Sequence, residues 1–408
     1  MLPSALEAMS QALVLQEGEL YHQRRFGPET VNRGAVLLDC EWDGGVFESG
    51  LFVSGLFRTG EFRGGAFLGG IFWEGAWTGG SWERGYDRLG RYHARTEHPP
   101  HGEPRYPPPA ARAMAAGDLT VIVSTVYADV ARIWHACVRR SLPEARIEIF
   151  WDSNLPAPSA DLFPGAMLLR REPGRRDYHE AYNDALARCG TPYLALIDSD
   201  VYWLSKDLWP RVREELESDE NLAAVACISR HDRPSHGTFA VVLKADLYRK
   251  VLASLPGGFA AGITEIDPAV PWQRWTHHST GDLACQAVLE AGYDVRFLNL
   301  EKDGRELVRF EGVTAPRRIA AYLPAASLPR LMSAGRYHWG GLAGNRILGS
   351  LHDRLFPDGP ASRFEVPASA LAVGSMRHGA REAAKRVGLL NYWRRGARRI
   401  EAFVRKTS

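Results

Sequence analysis

Between residues 42 and 85 an aromatic side chain recurs at every fifth position: Trp42, Phe47, Phe52, Phe57, Phe62, Phe67, Phe72, Trp77 and Trp82. Glycine keeps the same period two residues ahead of every ring from Phe47 on, from Gly45 and Gly50 through to Gly75 and Gly80. A repeat of this kind restricts the fold before any local propensity is considered. At about 100° per residue, five steps scatter the rings around a helix. In a strand, an odd period sends them to alternate faces. They share one interior only if the chain turns a corner once per repeat, with the ring pointing inward and glycine easing the bend. The pattern predicts a solenoid with short flat sides and a stacked aromatic core. It also argues against a flexible Gly-rich linker, because disordered segments are poor in aromatics.

This repeat resembles the pentapeptide-repeat family, whose chains wind a four-sided right-handed β-helix. Glycine stands where that family usually has alanine, and Phe or Trp where it usually has Leu or Phe. The resemblance implies a small right-handed β-helix-like domain over residues 41–90, of about two coils, capped by residues 1–40. A hydrophobic stack offers no chemistry, so a structural or docking role is expected.

The 408-residue length allows two or three domains. Residues 91–117 contain a Pro-rich run, His98-Pro-Pro-His-Gly-Glu-Pro-Arg-Tyr-Pro-Pro-Pro109, which reads as an extended linker. From Asp118 the pattern alternates. Leu119–Ser124, Ile147–Trp151, Met167–Leu169 and Tyr193–Ile197 read as strands. Val130, Ile133, Trp134, Cys137 and Val138 form one amphipathic helical stripe, and Tyr178, Ala181, Tyr182, Ala185, Leu186 and Cys189 another. Such β-α-β alternation predicts an α/β fold, a mostly parallel sheet with helices on both faces. Neither a dinucleotide-binding G-x-G-x-x-G nor a P-loop is present. The five cysteines are scattered and never form a C-x-x-C pair, which argues against a disulfide framework or a zinc site and for a reducing compartment. The N-terminus lacks a signal-peptide pattern and no stretch approaches the length of a membrane span, so a cytoplasmic protein is expected.

The strand Tyr193–Ile197 ends in Asp198-Ser199-Asp200. Ligands of open α/β sheets bind at the carboxyl ends of the strands. Two carboxylates there can hold a hard divalent cation, which in turn clamps a diphosphate. The plain alternative is a polar turn.

In order and spacing, residues 118–300 resemble nucleotide-sugar glycosyltransferases of the GT-A fold (Rossmann-like), most like glycosyltransferase family 2, within an expected domain of residues 118–345. The resemblance implies that Thr125, after the first strand, and Asp152, after the second, contact the donor nucleotide. Asn183 is retained from a helical triplet whose Arg is missing, and is carried over as a donor contact. Asp198 and Asp200 match the D-x-D and would bind Mn²⁺ or Mg²⁺, with Asp198 also reaching the ribose or a metal-bound water. Thr280-Gly281-Asp282 opens a helix where inverting members carry their base; Gly281 replaces the Glu, which leaves Asp282 as the candidate. Asp282 could equally be a helix cap. His338, in Tyr337-His-Trp-Gly-Gly341, is carried over as a further metal ligand, with a purely structural role as the alternative. Trp272, Trp275 and His278 suit a loop that stacks an acceptor sugar, or ordinary packing.

The implied activity is metal-dependent transfer of a sugar from a nucleoside diphosphate, UDP-sugar first among them, to a glycan or lipid-linked acceptor with inversion. The competing reading is a non-catalytic glycan- or partner-binding protein built on a degenerate GT-A domain, motivated by the missing Glu and Arg. Residues 346–408 form a basic tail with interleaved apolar residues. It reads either as a peripheral attachment to an anionic membrane, at the inner face, or as a packed helix with a basic outer side. No nucleic-acid motif accompanies the charge.

Overall fold

The structure, a computed structural model, describes residues 12–96, 117–125, 127–151, 157–170, 178–228, 234–314, 316–317, 338–358 and 380–405. The chain divides into two compact units. One comprises Met1–Glu103 with Gly262–His278, the other Pro104–Ala261 with Ser279–Ser408.

In the first unit short strands pair in parallel, and across the periodic segment the prevailing offset is fifteen residues. Cys40 lies beside Gly55, Leu51 beside Ala66, Leu56 beside Ile71, Glu61 beside Ala76 and Ala66 beside Ser81. Fifteen residues are three repeats, so each turn takes three sides. The four sides expected from the pentapeptide-repeat resemblance would need an offset of twenty. The rings show the consequence. Phe47, Phe62 and Trp77 form one column, with centroids 4.6 and 4.3 Å apart and planes within 8°. Phe52, Phe67 and Trp82 form a second at 4.9 and 4.6 Å. Trp42, Phe57 and Phe72 form a third at 6.2 and 4.9 Å. Successive rings along the chain meet edge to face, as in the 74° pair Phe52–Phe57. The column spacing approaches the spacing of paired strands, so backbone pairing and ring stacking reinforce each other.

Glycine explains the tighter turn. A three-sided coil must bend by about 120° at each corner against about 90° for four sides, and the corner glycines take positive φ for it. Gly65 has φ +83°, and a Cβ there would overlap the carbonyl oxygen of Gly50 one turn below. Alanine, usual in the four-sided family, cannot occupy that corner.

The coil starts earlier than the periodic sequence. Thr30–Leu38 pairs in parallel with Cys40–Phe52, and Leu13–Gln16 with Thr30–Leu38, so the described part of the expected cap belongs to the same sheet. At the other end Ser81–Tyr86 pairs antiparallel with Tyr92–Thr96. Asp87 secures that turn by accepting from the backbone N–H groups of Leu89 and Arg91. A hairpin of Gly262–Thr264 and Thr276–His278 completes the unit. Its Ile263 and Trp275 are buried with Leu56 and Ile71, and Ile263 N–H donates to Gly90 O at 2.8 Å. The expected continuous span 118–345 is therefore interrupted by seventeen residues that fold with the coil.

The second unit is α/β, in chain order β1 (Leu119–Thr125), α1 (Ala128–Ser141), β2 (Arg146–Trp151), β3 (Ala166–Arg170), α2 (Tyr178–Arg188), β4 (Tyr193–Ile197), β5 (Val201–Trp203), α3 (Leu208–Ser218), β6 (Leu222–Ala226), β7 (Ala240–Lys244), α4 (Ala245–Leu252), α5 (Asp282–Glu290), β8 (Asp294–Phe297), β9 (Leu307–Arg309), α6 (His338–Leu355) and α7 (Ala380–Arg405). Seven strands form the main sheet in the order β3-β2-β1-β4-β7-β6-β8. Only β7 runs antiparallel to its neighbours. Both faces are apolar, as a covered parallel sheet requires. Val121, Val123, Ala195 and Ile197 point into a core shared with Trp134 of α1, Val212 of α3 and Leu351 of α6. Ile122, Leu194 and Leu196 point into the opposite core with Tyr182 of α2, Tyr248 of α4 and Val288 of α5.

Of the two readings of the basic tail, packing holds for the later turns of α7. Trp393, Ala397 and Ile400 are buried; the Trp393 ring stacks on Phe310 at 5.7 Å, and its indole N–H donates to Arg309 O. Val387, Leu389, Arg394, Arg395 and Arg398 remain exposed. Among the described residues no helix is long and apolar enough to cross a membrane.

Candidate donor site

The sheet order reverses beside β1. The chain moves outward through β2 and β3, then returns to lay β4 on the other side of β1. The carboxyl ends of β1 and β4 thus flank a topological switch point, the usual binding crevice of such sheets. Ser124 and Thr125 end one strand; Asp198-Ser199-Asp200 follows the other. Ser124 Oγ is buried with no partner among the described residues, as an unmet polar group facing a ligand site would be. The Thr125 hydroxyl accepts from Tyr127 N–H at 3.3 Å and so shapes the turn into α1.

A tight turn sets the two aspartates. Val201 N–H donates to Asp198 O, and Asp198 N–H to Phe239 O, each at 3.0 Å. The chain then enters β5, which pairs antiparallel with β9 and places Val201 opposite Arg309. Asp198 Oδ1 accepts from Tyr182 Oη at 3.1 Å and Thr238 Oγ1 at 3.2 Å. Burial pushes the carboxyls of Asp198 and Asp200 above the ordinary range. Arg309 works against that shift in both, while for Asp200 the charges of Asp198 and Glu311 add to it. The Arg309 guanidinium rests over the Phe239 ring at 4.1 Å, with Glu301 and Glu311 no nearer than 3.8 Å. Two half-buried carboxylates one residue apart are a donor set that a divalent cation would relieve, completed by phosphate oxygens and water as Mg²⁺ and Mn²⁺ allow. Among the described residues no group of three or more His, Cys, Asp or Glu gathers as a metal cage.

The remaining expected residues are dispersed. Asn183 is buried with its side chain committed: Nδ2 donates to Gly257 O at 2.8 Å and Oδ1 accepts from Phe259 N–H at 3.0 Å. That ties α2 to the loop after α4. Asp282 is buried at the start of α5, where Oδ1 accepts from Ser235 Oγ at 2.5 Å and Oδ2 from Ser279 N–H at 2.7 Å. Trp272, Trp275 and His278 belong to the hairpin of the coil unit. Trp275 is buried against Trp73, with its indole N–H bonded to Asp267 O. Trp272 O lies 3.1 Å from His277 Nε2, and His278 Nε2 3.1 Å from Thr264 Oγ1. Asp152 lies outside the described residues, and so does the side chain of His338, the first residue of α6.

Tyr182, Thr238 and Arg309 were not anticipated as site residues. Tyr182 reads in sequence as part of an apolar helical stripe, and its hydroxyl is the sole hint of a second role. Thr238 opens the segment that leads into β7. Arg309 carries no sequence signal, because only the β5–β9 pairing brings it to the aspartates.

No protein-family model matches the chain, and no curated protein matches it. Solved structures do. Glucosyl-3-phosphoglycerate synthase from Mycobacterium tuberculosis, in complex with Mn²⁺ and UDP-glucose, is similar over 32% of this chain and 57% of that one, at 13% identity and a TM-score of 0.26. The same enzyme with Mg²⁺ and UDP gives 15% identity and a TM-score of 0.25. A structure described as a mycobacterial protein matches at 12% identity and a TM-score of 0.27, over 33% of this chain and 55% of that one. The chain spans little more than half the length of these proteins.

Proposed function

We propose that the α/β unit is a GT-A-type, metal-dependent glycosyltransferase that takes its sugar from a nucleoside diphosphate, a UDP-sugar first among them. The observation that carries the reading is the Asp198/Asp200 pair, half-buried at the switch point of a mostly parallel sheet. Asp200 and Asp198 would hold Mn²⁺ or Mg²⁺, with His338 a further ligand. Thr125 and Asp152 would face the nucleotide. The bound cation would neutralise the diphosphate as it departs. In an inverting transfer the acceptor oxygen bonds to the anomeric carbon, the carbon–phosphate-oxygen bond breaks, and the acceptor proton passes to a carboxylate. Asp282 is that carboxylate in this reading, and a glycan or lipid-linked alcohol is the acceptor. The exposed Val387, Leu389 and arginines of α7 suit peripheral contact with an anionic membrane carrying such a lipid.

Calorimetry of UDP, GDP and CDP, with and without Mn²⁺, tests the reading. Binding of one nucleotide that needs Mn²⁺ and is lost in Asp200→Ala is expected; no binding by any of the three would refute it.

One observation favours a second reading, a non-catalytic glycan- or partner-binding protein: both oxygens of Asp282 already accept hydrogen bonds that anchor the start of α5. Asp282→Asn separates the two. Lost sugar transfer with nucleotide binding kept supports catalysis, whereas a binding protein shows no transfer in the unaltered chain.

A further inference from the structure

The short segment from Ser235 to Phe239 touches both carboxylates of the proposed chemistry. At one end Ser235 Oγ donates to Asp282 Oδ1 and accepts from Gly237 N–H at 3.2 Å. At the other, Thr238 Oγ1 donates to Asp198 Oδ1, and Phe239 O accepts from Asp198 N–H. Helix α5 starts directly against this segment: a Cβ on Gly281 would meet the Gly237 carbonyl oxygen at 2.5 Å. Gly237 itself has φ +52°.

One side chain pins the segment from inside. His236 is completely buried, with Nδ1 2.5 Å from Gly237 O and Nε2 2.8 Å from Tyr248 Oη. A carbonyl oxygen only accepts, so Nδ1 must carry a proton; in the neutral ring Nε2 then accepts from the Tyr248 hydroxyl. Tyr248 is held in turn by stacking on Phe259 at 6.2 Å. A buried imidazole with both nitrogens engaged is fixed in position, and so is the carbonyl it grips.

We infer that His236 is a positioning residue for the donor site. Its Nδ1–H bond to Gly237 O holds the 235–239 segment so that Thr238 keeps Asp198, and Ser235 keeps Asp282, in place. The inference rests on the donor-site reading for its effect on binding, but the clamp itself is measurable without any ligand.

Three variants of the full chain separate this bond from simple packing. His236→Asn places an amide N–H near the Nδ1 position and gives up Tyr248. His236→Gln reaches Tyr248 and gives up Gly237. His236→Phe loses both. In ligand-free protein, amide hydrogen exchange at Asp198 and Gly237 should accelerate about tenfold or more in the Phe and Gln variants, and stay within about threefold of the parent in the Asn variant. UDP affinity in Mn²⁺ should fall in the same order, by about tenfold in the Phe and Gln variants. Equal acceleration in all three variants, or none in the Phe variant, overturns the clamp. Faster exchange with unaltered UDP affinity overturns the positioning role. Should the parent protein bind no nucleotide, the donor-site reading fails, and the exchange measurements still decide the clamp.

Discussion

Removing one ring from the middle of a column should unfold the coil well before the rest of the chain. Phe62 is fully buried, stacks on Phe47 at 4.6 Å and Trp77 at 4.3 Å, and meets Phe57 and Phe67 edge to face at 5.9 and 6.2 Å. Phe62→Ala removes four ring contacts and leaves a cavity between two turns that backbone pairing holds at fixed spacing. The expected cost is about 4 kcal/mol, in the middle of the range for buried Phe→Ala changes. Phe62→Leu keeps much of the volume but loses the ring pairs, and should cost about 2 kcal/mol. Trp77 ends the same column and is half-buried, so Trp77→Ala should also cost about 2 kcal/mol despite the larger side chain. Urea unfolding followed by near-UV circular dichroism reads these values. With a slope of about 2 kcal/mol per molar urea, the Phe62→Ala midpoint drops by about 2 M and the other two by about 1 M. A drop of less than about 0.5 M for Phe62→Ala, or an equal drop for Trp77→Ala, would refute the stacked-core account.

Two further outcomes follow from features described above. Because burial raises the carboxyls of Asp198 and Asp200 in the folded state, the metal-free protein binds their protons more tightly folded than unfolded. Their contribution to stability is therefore complete below the ordinary Asp range and is lost as pH rises through the raised values. Thermal midpoints should decline over that window, less so in Asp200→Asn, and Mn²⁺ should restore them at the upper end; an identical profile for parent and variant contradicts the argument. Replacing residues 262–278 by a short Gly-Ser link uncovers Leu56, Ile71 and Trp73, so the protein should bind a hydrophobic dye and lose solubility. A well-behaved, dye-silent variant would show that the hairpin is dispensable to the coil.

The sequence disclosed what repeats and what alternates. Period five announced a turning chain with rings inside, and the run Tyr193–Ile197 followed by two aspartates located a strand end at the switch point. The number of sides was not legible, because period five fits three or four corners equally well; the decision lies in glycine's positive φ and the room left by the stacked backbone. Arg309 was hidden because it reaches the aspartates through a pairing a hundred residues away in sequence. Asn183 and Asp282 were recognised as polar groups in informative places, but their partners, Gly257, Phe259, Ser235 and Ser279, come from loops whose paths no local pattern encodes. The hairpin was missed for a similar reason. Trp275 covers Leu56 and Ile71 of the coil, a partnership that no local pattern encodes.

The fifteen-residue offset also makes the coil a ruler with fixed graduations. Inserting five residues keeps every ring inward but moves each later side chain one face around the axis. Placed between Trp73 and Gly90, such an insertion would carry Gly90 off the side where Leu56, Ile71 and Trp73 meet Ile263 and Trp275. Inserting fifteen before Gly55 restores the faces and only lengthens the prism. Length variation is therefore quantised only between the residues that meet the hairpin: there a single repeat misplaces the contact, whereas repeats added before Gly55 leave it intact.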